Sequence, residues 1–295
     1  MNATGEAVRG ALPFRLRMPR RVPGAAGWQI GIGAAIVAVL VALTVVYAFT
    51  PPQEALRTNL LARLRAPGTA GFLFGSDQLG RSLIARALAG LPWSIGIACV
   101  ATALALGIGT LLGLVGAFFG GRVRVAVSLA IDSVIAFPSL VLAVTVIALL
   151  GRGFWPVALT LGLATWPIAA RVVQAETLGI VARDYVTAAA LLGVSSSRIL
   201  WVHVLPALRP VLLVMGAFLF ADMLIIESAL SFLGLGPPLS APSWGNMLSD
   251  SRQYMVQAPW MMLVPAGFIV TAVIGLNLIG DGVAATMRAR IHGLQ

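Results

Sequence analysis

Arg183–Pro206 reads RDYVTAAALLGVSSSRILWVHVLP and lies between two apolar runs. Asp184 reads as an N-cap, its carboxylate placed to accept backbone N–H bonds. Tyr185 to Leu192 suits a short helix, and Gly193 suits its end, because glycine enters the left-handed region freely. One of Ser195, Ser196 and Ser197 begins a second helix, which Pro206 ends. Val186, Ala189, Ala190 and Gly193 form a small apolar face on the first helix, suited to another protein's groove. A re-entrant or interfacial amphipathic loop is the plainer alternative.

What surrounds this stretch decides where it sits. Met1 to Gly27 is a basic tail with five arginines against Glu6. Trp28 to Phe49 carries no charge and is long enough to span a bilayer. It has no convincing small-residue cleavage site, so an uncleaved first span is expected. The arginines before it place the N-terminus in the cytoplasm. Residues 50–92 form a polar segment outside, although it too carries five arginines. Further spans are expected at Trp93–Phe119, Val125–Leu150, Phe154–Ala170, Leu208–Ser228 and Ala258–Gly280. Gly109, Gly113, Gly116 and Gly120 have the small-xxx-small spacing that lets helices approach closely. By this count Arg171–Pro206 is cytoplasmic, Gly234–Gln257 is external, and both chain ends are inside.

Composition agrees with a multi-pass membrane protein. Of 295 residues, 59% are hydrophobic and 10% charged, with mean hydropathy +0.96. Soluble domains are roughly 45–50% apolar and about 25% charged. The apolar runs are long and continuous, which argues against a β-barrel. All 20 basic residues are arginine. Without lysine the chain holds no Walker A loop and forms no lysine Schiff base. The net charge of +10 is explained by arginines flanking spans and does not point to nucleic acid. Cys99 is the single cysteine, and His203 and His292 lie in no zinc-binding spacing, so no disulfide, metal or cofactor is expected in this chain.

Three carboxylates fall in or near spans: Asp132, Asp222 and Glu227. Intramembrane acids are functional candidates, because charge is costly there. Asp132 is two turns from Arg124, near the cytoplasmic interface, and Glu227 is near the outer end of its span, so both are expected to reach water or a partner helix. Asp222 is deeper and is a candidate to line a pathway for a cationic group. A proton relay, a gate and plain interfacial placement all remain open for the three. Trp155, Trp166, Trp244 and Trp260 read as an aromatic belt.

Thr187-Ala188-Ala189, three residues, Gly193, nine residues, then His203-x-Leu205-Pro206 resembles the EAA loop of ABC importer permeases (EAA-x3-G-x9-I-x-LP). Thr187 stands where the family has Glu, and His203 where many members have Ile. Seven further strings in order look like the dipeptide/oligopeptide/nickel branch, and within it the second of two permease subunits. They are FGSDQLGRSL (74–83), AFFGG (117–121), DSVIAFPSL (132–140), SFLGLGPP (231–238), PSWGNML (242–248), APW (258–260) and NLIGDG (277–282).

The resemblance implies an all-α integral membrane protein with the type I importer permease fold, six helices and a cytoplasmic coupling loop. It implies a core over 93–285, a cytoplasmic tail over 286–295, and a place in the bacterial inner membrane. It implies that Asp184, Tyr185, Thr187, Ala188, Ala189, Gly193, His203, Leu205 and Pro206 couple to ATPase subunits. It also implies the partners: a homologous second permease, two ATP-binding subunits or one fused chain using ATP and Mg, and an extracytoplasmic binding protein that delivers peptide. No catalysis is expected in this chain. The alternative is a stand-alone secondary transporter using the membrane carboxylates.

Overall fold

The structure is a computed structural model that describes residues 25–50, 52 and 57–292. Most of the basic N-terminal tail and the last three residues lie outside the described residues. Ten α-helices follow in order. They are α1 (Ala25–Phe49), α2 (Leu83–Phe119), α3 (Gly121–Ile135), α4 (Ser139–Leu150), α5 (Phe154–Val181), α6 (Asp184–Leu191), α7 (Ser196–Arg198), α8 (Leu205–Phe232), α9 (Trp244–Ser251) and α10 (Trp260–His292). A six-residue π segment, Ile199–Val204, joins α7 to α8 without a break. By length and composition, five helices are able to cross a membrane: Ala26–Phe49, Leu83–Phe119, Phe154–Val181, Ser196–Phe232 and Trp260–Ala289.

The expected third span, Val125–Leu150, is not one helix. It breaks after Ile135 and resumes at Ser139. Pro138 has no N–H to donate and pushes Phe137 out of the helical region. Pro138 then serves as the N-cap of α4, its carbonyl accepting from Leu142 N at 3.0 Å. Together α3 and α4 carry the chain from the end of α2 back to the start of α5, a path compatible with six crossings. The other helices outrun their expected limits. α2 begins ten residues earlier than the uncharged run, and α5 continues through Arg171 to Val181.

α2 and α5 lie side by side and run parallel. Phe154 faces Gly96, Leu104 faces Gly162, Ala169 faces Gly109 and Val173 faces Gly113. A Cβ on Gly109 would stand 2.5 Å from that of Ala169, so this contact is closed to any larger residue. Gly116 instead receives Val127 of α3, while Gly120 ends α2 at φ +63°. α1 packs antiparallel on α10, with Gly275 facing Ile36 and Gly282 facing Ile30. Buried Leu91, Ile97, Val157, Leu161, Met223, Leu224 and Trp244 form the main core.

The parallel pair gives the bundle two distinct ends. Residues 57–82 and α9 lie at one, where α2 and α5 start; α6 lies at the other. At the α9 end, Trp244 is wholly buried, so it is no belt residue. Its Nε1 donates to Ala87 O at 2.9 Å and its backbone N to Ser94 Oγ at 3.1 Å, both on α2. Asp77 is also wholly buried and accepts from Leu79 N, Arg81 N and Nε, and the Arg86 guanidinium. Arg86 reaches on to Asp250 of α9 at 3.0 Å. The segment before α2 is thereby tied to both α2 and α9.

Candidate functional site

At the opposite end, the backbone around α6 is set by its two caps. Arg183 is the N-cap, in extended conformation and without a side-chain cap bond. Asp184 is therefore the first helical residue and not the cap expected from the sequence. Gly193 ends the helix at φ +79°. Val194 N donates to Ala189 O at 3.2 Å and Gly193 N to Ala190 O at 3.1 Å. This paired bonding is the Schellman motif, which satisfies the last helical carbonyls and needs a left-handed residue at that one position.

The small apolar face was expected to point outward, and it is instead divided. Val186 is buried against Ile180, Ile199, Leu200 and Val204, with Ala189 half-buried beside it. An isolated eight-residue helix is marginal in water, and this contact with α5 and the π segment holds it. The exposed surface is made of Tyr185, Thr187, Ala188, Ala190, Leu191 and Leu192, with both leucines 84% exposed. The sequence signal for this surface is the adjacent pair Leu191-Leu192 at the end of the helix, next to the small residues 188–190.

Pro206 does not end the second helix; it sits in the first turn of α8. Proline has no N–H for the carbonyl one turn back, and the π segment just before it changes the bonding register there. His203 is half-buried in that segment, and its Nδ1 has no hydrogen-bond partner among the described residues. Leu205 and Trp201 line an apolar groove of ≈ 340 Å³ with Leu106, Leu111, Leu114 and Leu212. The structure thus brings Asp184, Tyr185, Thr187, Ala188, Ala189, Gly193, His203, Leu205 and Pro206 to one end, on a bent unit continuous with α8.

The three acids do not meet. Asp132 of α3 pairs with Arg171 of α5, and both are exposed. Asp222 is exposed midway along α8. Glu227 does not reach water as expected. It is wholly buried, accepting from Ser231 Oγ at 2.7 Å and Ser228 Oγ at 3.4 Å. Among the described residues, no group of three or more His, Cys, Asp or Glu is placed to hold a metal.

Because Asp184 makes no cap bond, Asp184→Ala is expected to leave the fold and any partner binding near wild type. Its contribution is a favourable charge at an exposed helix start, toward the low end of about 0.3–1 kcal/mol. Circular dichroism and thermal unfolding of the purified chain measure this, and a shift as large as a lost cap, ~1 kcal/mol, would contradict it.

Residues 105–292 match the sequence profile of the family described as "Binding-protein-dependent transport system inner membrane component". The chain belongs to this family. It is 32% identical over 251 residues to the dipeptide transport system permease protein DppC of Alkalihalophilus pseudofirmus, covering 85% of this chain and 82% of that one. It is 36% identical over 215 residues to the di/tripeptide transport system permease protein DppC of Pseudomonas aeruginosa, covering 73% and 71%. It is 34% identical over 272 residues to a putative peptide transport system permease protein of Brucella suis, covering 92% and 90%. This permease is thus an inner-membrane component of a binding-protein-dependent transport system. Its profile match takes in α6, the π segment and all three acids, and leaves α1 outside.

Proposed function

We propose that this permease forms half of the translocation pathway of an ATP-driven importer of di- or oligopeptides. Its partners are a homologous second permease, two ATP-binding subunits and an extracytoplasmic binding protein. The observation that carries the reading is α6, a short helix closed at Gly193 and packed on the π segment, which runs without a break into the spanning helix α8. It offers Tyr185, Leu191 and Leu192 to a partner at the end of the bundle. Arg122, Arg124, Arg183, Arg198 and Arg288 cluster in the segments at that end, which supports a cytoplasmic placement. The end bearing residues 57–82 and α9 then faces outward.

In this reading the chain performs no chemistry. ATP hydrolysis in the partner subunits moves α6, and α8 carries that movement into the membrane. The isolated chain is expected to bind no nucleotide, because it has no lysine and hence no Walker A loop. The experiment is reconstitution of the four-part complex in vesicles with loaded binding protein. Peptide uptake coupled to a rise in ATP hydrolysis is the expected result. Uptake driven by a proton gradient without the ATP-binding subunits would overturn it. The pairing of Asp132 with Arg171 and the enclosure of Glu227 support the importer reading, since they leave no connected line of acids among the described residues.

A further inference from the structure

Resting on that reading, the structure points to a specific role for Asp222. A stripe of α8 is exposed at Asp222, Ile225 and Ala229, bounded by Phe218, which packs in part on α10, and by the C-cap Leu233. Their spacing of three and four residues puts them on one stripe. Asp222 is its only charged group. Ten residues separate it from Phe232, about 15 Å along the helix at ~1.5 Å per residue, so it lies well inside the span. Among the described residues Asp222 has no hydrogen-bond or ion-pair partner within its own chain, unlike Asp132 and Glu227.

An aspartate at this depth does not face lipid, where an unpaired carboxylate is costly. Either a cation of the second permease meets it permanently, or it faces water in the pathway and meets a cation that passes. The second alternative fits a moving part. α8 is reached from α6 through the Gly193 turn, α7 and the π segment, and α6 packs on that segment, so in this reading the exposed face of α8 shifts during the cycle. A permanent ion pair in mid-membrane would clamp the two permeases where they have to separate. Peptides always carry one amino-terminal ammonium, whatever their side chains. A single carboxylate therefore recognises the class without choosing among sequences. Phe218, one turn away, supplies an apolar surface beside it. Its ring stands 3.1 Å from the position a Cβ would take on Gly280 of α10, which fixes the ring against a second spanning helix.

We infer that Asp222 lines the translocation pathway and holds the cationic amino terminus of the peptide in transit, with Phe218 beside it against an apolar side chain. The test uses the assembled complex in vesicles with a dipeptide-loaded binding protein. Asp222→Asn is expected to lower uptake at least tenfold while the complex still assembles and its ATP hydrolysis still responds to loaded binding protein. Asp222→Glu is expected to keep at least half of wild-type uptake. In a Cys99→Ser background, Asp222→Cys is expected to react with a cationic thiol reagent during turnover, more slowly when dipeptide is supplied. Wild-type uptake by Asp222→Asn, loss of its second permease on purification, or a thiol silent throughout turnover would each overturn the inference. Failure of the wild-type complex to take up peptide would instead overturn the proposed function.

Discussion

Asp77→Ala is expected to cost about 3–5 kcal/mol, the range for removing one partner of a buried ion pair. The loss would not be confined to one bond. Arg86 is 3% exposed and would keep only Asp250, itself partly exposed. Arg81 would lose its carboxylate contact at 2.6 Å. The backbone N–H groups of Leu79 and Arg81 would be left unpaired in a closed turn. That turn has little slack, since Gly80 sits at φ +72° and a Cβ there would stand 1.7 Å from Asn59 O. Proteolysis of the purified permease at Arg63 and Arg65 reads the outcome directly. The variant should be cut there much faster and melt at a lower temperature, while Asp77→Asn, which keeps one acceptor, should fall between. Equal cutting rates in wild type and alanine variant would show that the network does not hold the segment.

Gly193→Val should strike transport harder than stability. At φ +79° an L-residue pays ~1–2 kcal/mol, and a β-branched one more. No atom lies within 4 Å of where its Cβ would stand, so the chain itself offers no clash. The expected damage is therefore to the bend between α6 and α7, with membrane insertion unchanged. In reconstituted vesicles, peptide uptake should fall at least tenfold while the variant is still recovered in the membrane. The series is ordered by tolerance of the left-handed region: Gly193→Asn near wild type, Gly193→Ala intermediate, Gly193→Val lowest. A series ordered by side-chain volume, with Asn below Ala, would mean that the glycine serves close packing against a partner. Wild-type uptake by the valine variant would mean that the bend is not needed.

Five of the six expected spans coincide with helices long enough to cross, because uncharged runs of about 20 residues have few alternatives in a chain this apolar, while the expected third span is divided between α3 and α4. Gly193 was legible for a local reason: a glycine closing a short amphipathic stretch has one common use. The division of the expected third span comes from Pro138, whose effect on Phe137 adds to its missing N–H and turns a kink into a full break. Glu227 was misplaced because distance along a helix was taken for distance to water. α9 folds back over that turn and shuts it in, with Gly245 pressed on Ser228 and Ser231. Asp77 stands out in no local pattern, since its role depends on Arg86 and Asp250, and the latter is 173 residues away. Long-range enclosure of this kind leaves no periodic trace. The spacing of residues 187–206 marks a short helix closed by Gly193 but not which face of α6 looks outward.

The π segment makes one kind of mutation unlike the others. An α-helix turns about 100° and rises ~1.5 Å per residue, and a π turn accommodates one residue beyond that count. Deleting a residue within Ile199–Val204 would let the bulge relax to ordinary helix. Everything beyond would then keep its phase, because the residue removed is the one the π turn had absorbed, whereas the same deletion in ordinary helix rotates all that follows by roughly 100° and draws it back by ~1.5 Å. No substitution can do this, because a substitution changes a side chain and leaves the count intact. A scan of single-residue deletions along 196–232 should therefore have a tolerant window at the bulge, flanked by positions where the same deletion throws the packed stripe of α8 out of register.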